Sequence, residues 1–145
     1  MKKNIAILFT IIAISGCELI VIGSVKQKKA YGLNPDTPIG AVLLFKTEID
    51  SNNIPAAAKL LASQDGKVYL AFEKYELYDE LTRFGRIIRN RGITAVREDS
   101  LAPESYRVNL ELDYNHSISF TASKISDNWY ITNYRDETAA IVPNP

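Results

Sequence analysis

One cysteine and one histidine in 145 residues leave almost no material for a metal site. A structural zinc site takes about four Cys or His ligands, and Cys17 and His116 are all this chain has. A lone cysteine also excludes an internal disulfide, so a secreted domain must be held by its apolar core. Excess charge of either sign is missing as well: 17 Lys and Arg balance 17 Asp and Glu, for a formal net charge of +0. No basic stripe with interleaved aromatics occurs, which argues against nucleic acid as a partner. No cofactor or metal is expected. What the chain does have is apolar residues, at 46% of the sequence, and eight tyrosines, enough to core a single domain.

The N-terminus carries its own signal. Lys2 and Lys3 precede an apolar run from Ile5 to Ile14, and the small residues Ser15 and Gly16 lead to Cys17. Charge, short apolar stretch and small residues make a secretory signal, shorter than the roughly 20 residues that span a bilayer. Ile14-Ser15-Gly16-Cys17 resembles the lipobox of bacterial lipoproteins. That resemblance implies cleavage between Gly16 and Cys17, a lipid on the Cys17 thiol and Cys17 as the mature N-terminus. It also implies a sorting rule: with Glu18 rather than Asp after the cysteine, a two-membrane organism would hold the protein at its outer membrane, facing the periplasm. Two other readings compete. An ordinary cleavable signal would leave the cysteine unexplained. An uncleaved helix from Ile5 to Val25, extended through Leu19-Ile20-Val21-Ile22, would bury Glu18 near its middle at a cost of a few kcal/mol. It would also place Lys26, Lys28 and Lys29 opposite Lys2 and Lys3, with no positive-inside bias. Residues 17–36 then read as a lipidated N-terminus and tether, apolar first and polar after.

From Thr37 to about Asp136 the pattern is α+β. Thr37 caps and Pro38 opens a helix whose Ile39, Val42, Phe45 and Ile49 form one stripe. Asp50 to Asn53 breaks it. A short second helix carries Ala57, Ala58 and Leu61 inward and stops before Gly66. A longer helix is predicted over Val68 to Asn90, with Leu70, Leu77, Leu81, Phe84 and Ile88 on one side, Tyr75 and Tyr78 beside them, and a bend at Gly85. Gly92 ends it. The period then changes to 2. Ile93 to Ser100 is a first strand, and Tyr106, Val108, Leu110, Leu112 and Tyr114 form the inward face of a second. Asn115-His116 is read as the turn. Ile118, Phe120 and Ala122 belong to a third strand, and Trp129-Tyr130-Ile131 to a fourth. Short turns make an antiparallel meander with one wet face, and the helices pack on the other. Residues 137–145 read as a frayed tail.

This order resembles the nuclear transport factor 2-like (cystatin-like cone) superfamily, and more narrowly small bacterial lipoproteins of that fold. The resemblance rests on Thr37-Pro38-Ile39-Gly40-Ala41-Val42, Ala57-Ala58-Lys59-Leu60-Leu61 and Asn128-Trp129-Tyr130-Ile131. It implies a sheet curved around the helices, and it leaves function open, because the superfamily includes enzymes, ligand-binding domains and interaction modules.

The candidate chemistry is sparse. His116, placed in a turn without a partner, reads as solvated surface, and Glu111 and Asp113 lie on the outward strand face without converging. Glu98-Asp99 reads as strand-edge charge. Tyr75, Tyr78, Tyr106, Tyr114 and Trp129 could line an amphipathic pocket or simply fill the core. Two function classes follow: a non-catalytic envelope module binding a partner protein or small apolar ligand, and an isomerase- or hydrolase-type enzyme using the cone. The first is preferred. A homodimer through the mixed-charge sheet face is a further expectation.

Overall fold

The computed structural model describes residues 32–138; the signal, Cys17 and the tether lie outside them. Helix α1 spans Pro38–Asp50, α2 Ile54–Lys59, α3 Ala71–Glu76 and α4 Tyr78–Ile88. Strands β1 (Ile93–Ala102), β2 (Ser105–Leu112), β3 (His116–Ile125) and β4 (Asn128–Asp136) follow. The four strands form one antiparallel sheet in chain order, so the fold is α+β, helices first and meander second.

Helix α1 starts as its sequence predicts. The Thr37 hydroxyl accepts the Gly40 N–H at 3.0 Å, satisfying one of the free donors of the first turn. Ile39, Val42, Phe45 and Ile49 are buried, but so are Ala41 and Leu43 on other sides of the helix. The single predicted stripe is thus too narrow. Helix α1 contacts β2, β3 and β4 as well as α2 and α4, so it is covered nearly all round. Gly40 answers to that crowding: a Cβ there would lie 2.3 Å from the Asn34 carbonyl oxygen.

Behind α2 the chain runs along β4. Ile131 N–H donates to Leu60 O at 2.8 Å and Ala62 N–H to Ile131 O at 3.0 Å, while Trp129 N–H donates to Pro35 O at 2.7 Å. The open edge of β4 is thereby partly covered.

The long helix predicted over Val68–Asn90 is two helices. Leu77 N–H bonds back three residues to Lys74 O at 3.2 Å, tightening the ladder there, and Leu81 N–H returns to Leu77 O at 2.9 Å. This break turns α3 away from the apolar stripe of α4. Leu70, placed on that stripe by periodicity, and Tyr75, placed beside it, are 59% and 72% exposed. Gly85 does not mark the bend. It sits within α4, where its missing side chain leaves 3.4 Å between a built Cβ and Ile49 Cγ2, letting α4 approach α1 closely.

The core lies between helices and sheet. Phe45 and Phe84 meet Phe120 at centroid distances of 5.9 and 6.3 Å, both edge-on, an arrangement that favours aromatic pairs. Val108, Leu110, Leu112, Ile118 and Ile131 complete the sheet's inner face. A smaller cluster joins Trp129 to Ala41 and Ala122, with Tyr106 against it. The one buried charge, among the described residues, is Lys46. Its ammonium donates to both Asp50 oxygens at 2.6 Å and to Arg91 O at 3.1 Å, tying α1 to the end of α4.

Candidate functional site: the open face of the sheet

A pocket inside the helix–sheet layer would need unfilled space, and the aromatic core takes nearly all of it. Among the described residues, a cleft of about 190 Å³ lies beside Tyr69, Leu77, Glu80 and Tyr134. Within it the Tyr134 hydroxyl donates to Glu80 Oε1 at 2.5 Å. Burial first, then the Glu80 carboxylate, pushes the Tyr134 hydroxyl well above the usual phenol range, so it stays a donor.

The larger depression, about 950 Å³, lies over the helix-free face of the sheet. Period-2 alternation aims Val108, Leu110, Ile118 and Phe120 at the helices and Arg107, Asn109, Glu111, Ser117 and Ser119 the other way. The register places Arg97, Asn109 and Ser119 in one row across three strands, with Glu111 opposite Ser117 in the next. Thr94 Oγ1 donates to Glu111 Oε1 at 3.0 Å, and Asn109 Nδ2 reaches Asp99 Oδ2 at 3.4 Å.

One end of this depression is closed by residues predicted to be tail. Glu137 N–H donates to Ser117 O at 2.8 Å, and Ser117 N–H donates to Thr138 Oγ1 at 3.2 Å. These two residues therefore stay docked on β3 past the end of β4 rather than fray; residues 139–145 lie outside the described part. The signal missed was Thr138 itself, whose N–H turns back to Asp136 Oδ1 at 2.9 Å.

His116 is likewise not the solvated turn residue its neighbours suggested. It opens β3, its side chain is 13% exposed, Nδ1 lies 3.0 Å from Thr138 Oγ1 and Nε2 lies 3.3 Å from Asp136 Oδ2. Nε2 is buried and its approach to Asp136 does not complete a hydrogen bond. Both ring nitrogens thus point to the residues at and just past the end of β4, at the rim of the depression that His116 and Thr138 help to line. Burial alone would raise the Asp136 carboxyl, but hydrogen bonds from Thr138 and the nearby His116 and Arg91 outweigh it and hold it below the usual range.

The turn is Asp113 to Asn115, beginning two residues earlier than expected. Asp113 leaves the strand face, and its Oδ1 accepts the Gly92 N–H at 2.9 Å. Tyr114, predicted inward, is 84% exposed and lines the depression. The other four aromatic candidates are elsewhere and do not converge. Tyr75 and Tyr78 pair at 5.3 Å on the helices, and Tyr106 and Trp129 pair at 5.4 Å in the small cluster. Glu98 and Asp99 lie on β1, whose residues are all at least partly exposed. Among the described residues, no group of three or more His, Cys, Asp and Glu could hold a metal ion, and none of the helices is long and apolar enough to cross a membrane.

No known protein family matches the chain, and no curated protein does. Among solved structures, the chain is similar to a protein from Sphaerobacter thermophilus. The two are 12% identical, the match covers 70% of this chain and 96% of that one, and the TM-score is 0.43.

Proposed function

We propose that this chain is a lipid-anchored protein of the bacterial cell envelope whose domain, of the nuclear transport factor 2-like type, is a non-catalytic binding module. The observation that carries the binding role is the contrast between the two sides of the sheet. The helix side is filled by Phe45, Phe84 and Phe120, whereas the open side is a depression lined mainly by residues with polar or charged side chains. The anchor rests on Ile14-Ser15-Gly16-Cys17 after a short apolar run. In an organism with two membranes, Glu18 assigns the protein to the outer membrane, facing the periplasm.

The tests are separate. Intact mass of the membrane-extracted protein should correspond to a chain starting at a diacylated Cys17; a mass retaining residues 1–16 refutes the anchor, as does a Cys17→Ser protein that stays membrane-bound. In vivo cross-linking from the open face should capture a ligand or partner that an Arg97→Glu, Arg107→Glu variant loses. Capture unaffected by that variant refutes the binding face.

An enzyme reading has one observation in its favour, the hydroxyl–imidazole–carboxylate chain of Thr138, His116 and Asp136. It is weaker because Nε2 is buried and Nδ1 is engaged by Thr138 Oγ1, and a general base must reach the proton it takes. A second copy is the other occupant to consider, since Arg97 and Arg107 share the face with Glu111 and Glu137, and a two-fold contact could pair them.

A further inference from the structure

The open face holds polar groups that the fold does not use. Among the described residues, neither Arg97 nor Arg107 forms a salt bridge. The Ser119 side chain sits on the floor of the depression, only 8% of the residue exposed, between Asn109 and Arg135 of the neighbouring strands. Charge is uneven along the depression: Asp99 stands opposite Arg107, and Arg135 adds a third guanidinium to the row of Arg97, Asn109 and Ser119. Arg97 and Arg107 lie toward one end, and Glu111 and Glu137 toward the end near the β2–β3 turn.

Tyr114 is the second unexplained feature. It follows Asp113 in the left-handed region, with φ of 65° and 50° respectively. Gly or Asn sits there easily, whereas a bulky side chain is disfavoured. Its N–H is held by Thr94 Oγ1 at 3.3 Å, so the backbone is fixed. Yet its ring is 84% exposed at the rim of the depression. Neither turn geometry nor packing accounts for a tyrosine here, and strain kept at such a place points to contact with something else.

We propose that this depression binds a carboxylated oligosaccharide, a deepening of the open-face reading that rests on it. Arg97 and Arg107 take the carboxylate, since guanidinium matches its geometry. Asn109, Ser117, Ser119 and Glu111 exchange hydrogen bonds with ring hydroxyls, and the Tyr114 ring covers the apolar face of one sugar. The acidic end formed by Glu111 and Glu137 sets direction, because a carboxylate placed there would be repelled. At about 950 Å³, the volume stands near the top of the roughly 300–1,000 Å³ range of small-molecule pockets, room for more than one ring. A peptide fits less well. The backbone groups of this face are already paired within the sheet, so no strand can be added to it, and the floor presents the hydroxyls of Ser117 and Ser119 and the Asn109 amide.

The test uses the full lipidated chain in detergent and trigalacturonate as probe, with maltotriose as the uncharged control and polyglutamate as the non-sugar anion. Saturable trigalacturonate binding is expected, at least tenfold tighter than maltotriose. Arg97→Ala with Arg107→Ala should weaken it at least tenfold, and Tyr114→Asn should do so while melting no lower than the parent. No saturable binding at millimolar probe overturns the proposal, as does equal affinity for polyglutamate. Binding insensitive to all three substitutions overturns it too, as does a dimer by light scattering that these substitutions dissociate. If in vivo cross-linking still depends on Arg97 and Arg107 while trigalacturonate fails, the sugar is wrong and the binding face stands.

Discussion

Lys46 and Asp50 offer the sharpest test of how this small domain is held together. Lys46 is 2% exposed, and its ammonium has three acceptors: both Asp50 oxygens at 2.6 Å and Arg91 O at 3.1 Å. Asp50 also accepts the Asn90 N–H at 2.9 Å, and its side chain is 34% exposed. Removing a buried pair altogether is often neutral, whereas removing one partner costs about 3–5 kcal/mol, because a charge is left without compensation. Asp50→Ala strips two of the three acceptors from a buried ammonium. Because Asp50 is partly exposed, water can enter its place, so the lower end, about 2–3 kcal/mol, is expected. Lys46→Met keeps the volume and leaves a carboxylate that water can reach; it should stay within about 1 kcal/mol of the parent. The double variant should lose only the Asn90 contact relative to Lys46→Met, about 0.5–1.5 kcal/mol. Urea melts of all four proteins close the cycle. If Asp50→Ala and the double variant were equally damaged, or Lys46→Met were as damaged as Asp50→Ala, the stranded charge would not be the source of the cost.

Other outcomes follow from the same structure. Trp129→Ala should cost about 3 kcal/mol, the low end for a buried aromatic because its cluster lies outside the main core; an unchanged urea midpoint would place the ring in solvent. Gly40→Ala should destabilise, by about 1–3 kcal/mol, because the new methyl meets backbone at Asn34; a more stable variant would show that the 32–36 segment yields freely. His116→Ala should release residues 137 and 138 from β3, read as lost hydrogen-exchange protection at the Glu137 amide, whose acceptor is Ser117 O. The Tyr134 hydroxyl is raised above the usual phenol value near 10. The folded state therefore holds this proton more tightly than the unfolded state, and its contribution is complete below pH about 10 and lost as pH climbs toward the folded value. Tyr134→Phe should flatten that alkaline decline in urea melts; a decline as steep as the parent's would point to other groups.

The elements that periodicity could reach were legible, and those set by tertiary contact were not. Val108, Leu110 and Leu112 alternate with Arg107, Asn109 and Glu111, and that alternation alone sorts β2 into a core face and an open face, as the structure has it. The Thr37–Pro38 start is equally local, because cap and first turn lie within a few residues of one another. Periodicity fails at Leu70, which is in phase with Leu77 and Leu81. Phase gives the direction a helix would present, but not whether the ladder continues through Leu77, and there it does not. Alternation fails in the same way at Tyr114, where two left-handed residues end the strand two residues before the pattern does. His116 shows the deeper limit. Its partners Asp136 and Thr138 arrive on a strand that crosses the sheet and returns, 20 and 22 positions later, so no local window contains the reason for its burial. The same limit applies to the open face. Arg97, Asn109 and Ser119 are ordinary polar residues on three separate strands, and only the register sets them in one row. A site built across a meander is therefore nearly silent in sequence, and an exposed tyrosine in a conformation that suits glycine is the local signal that could have pointed to it.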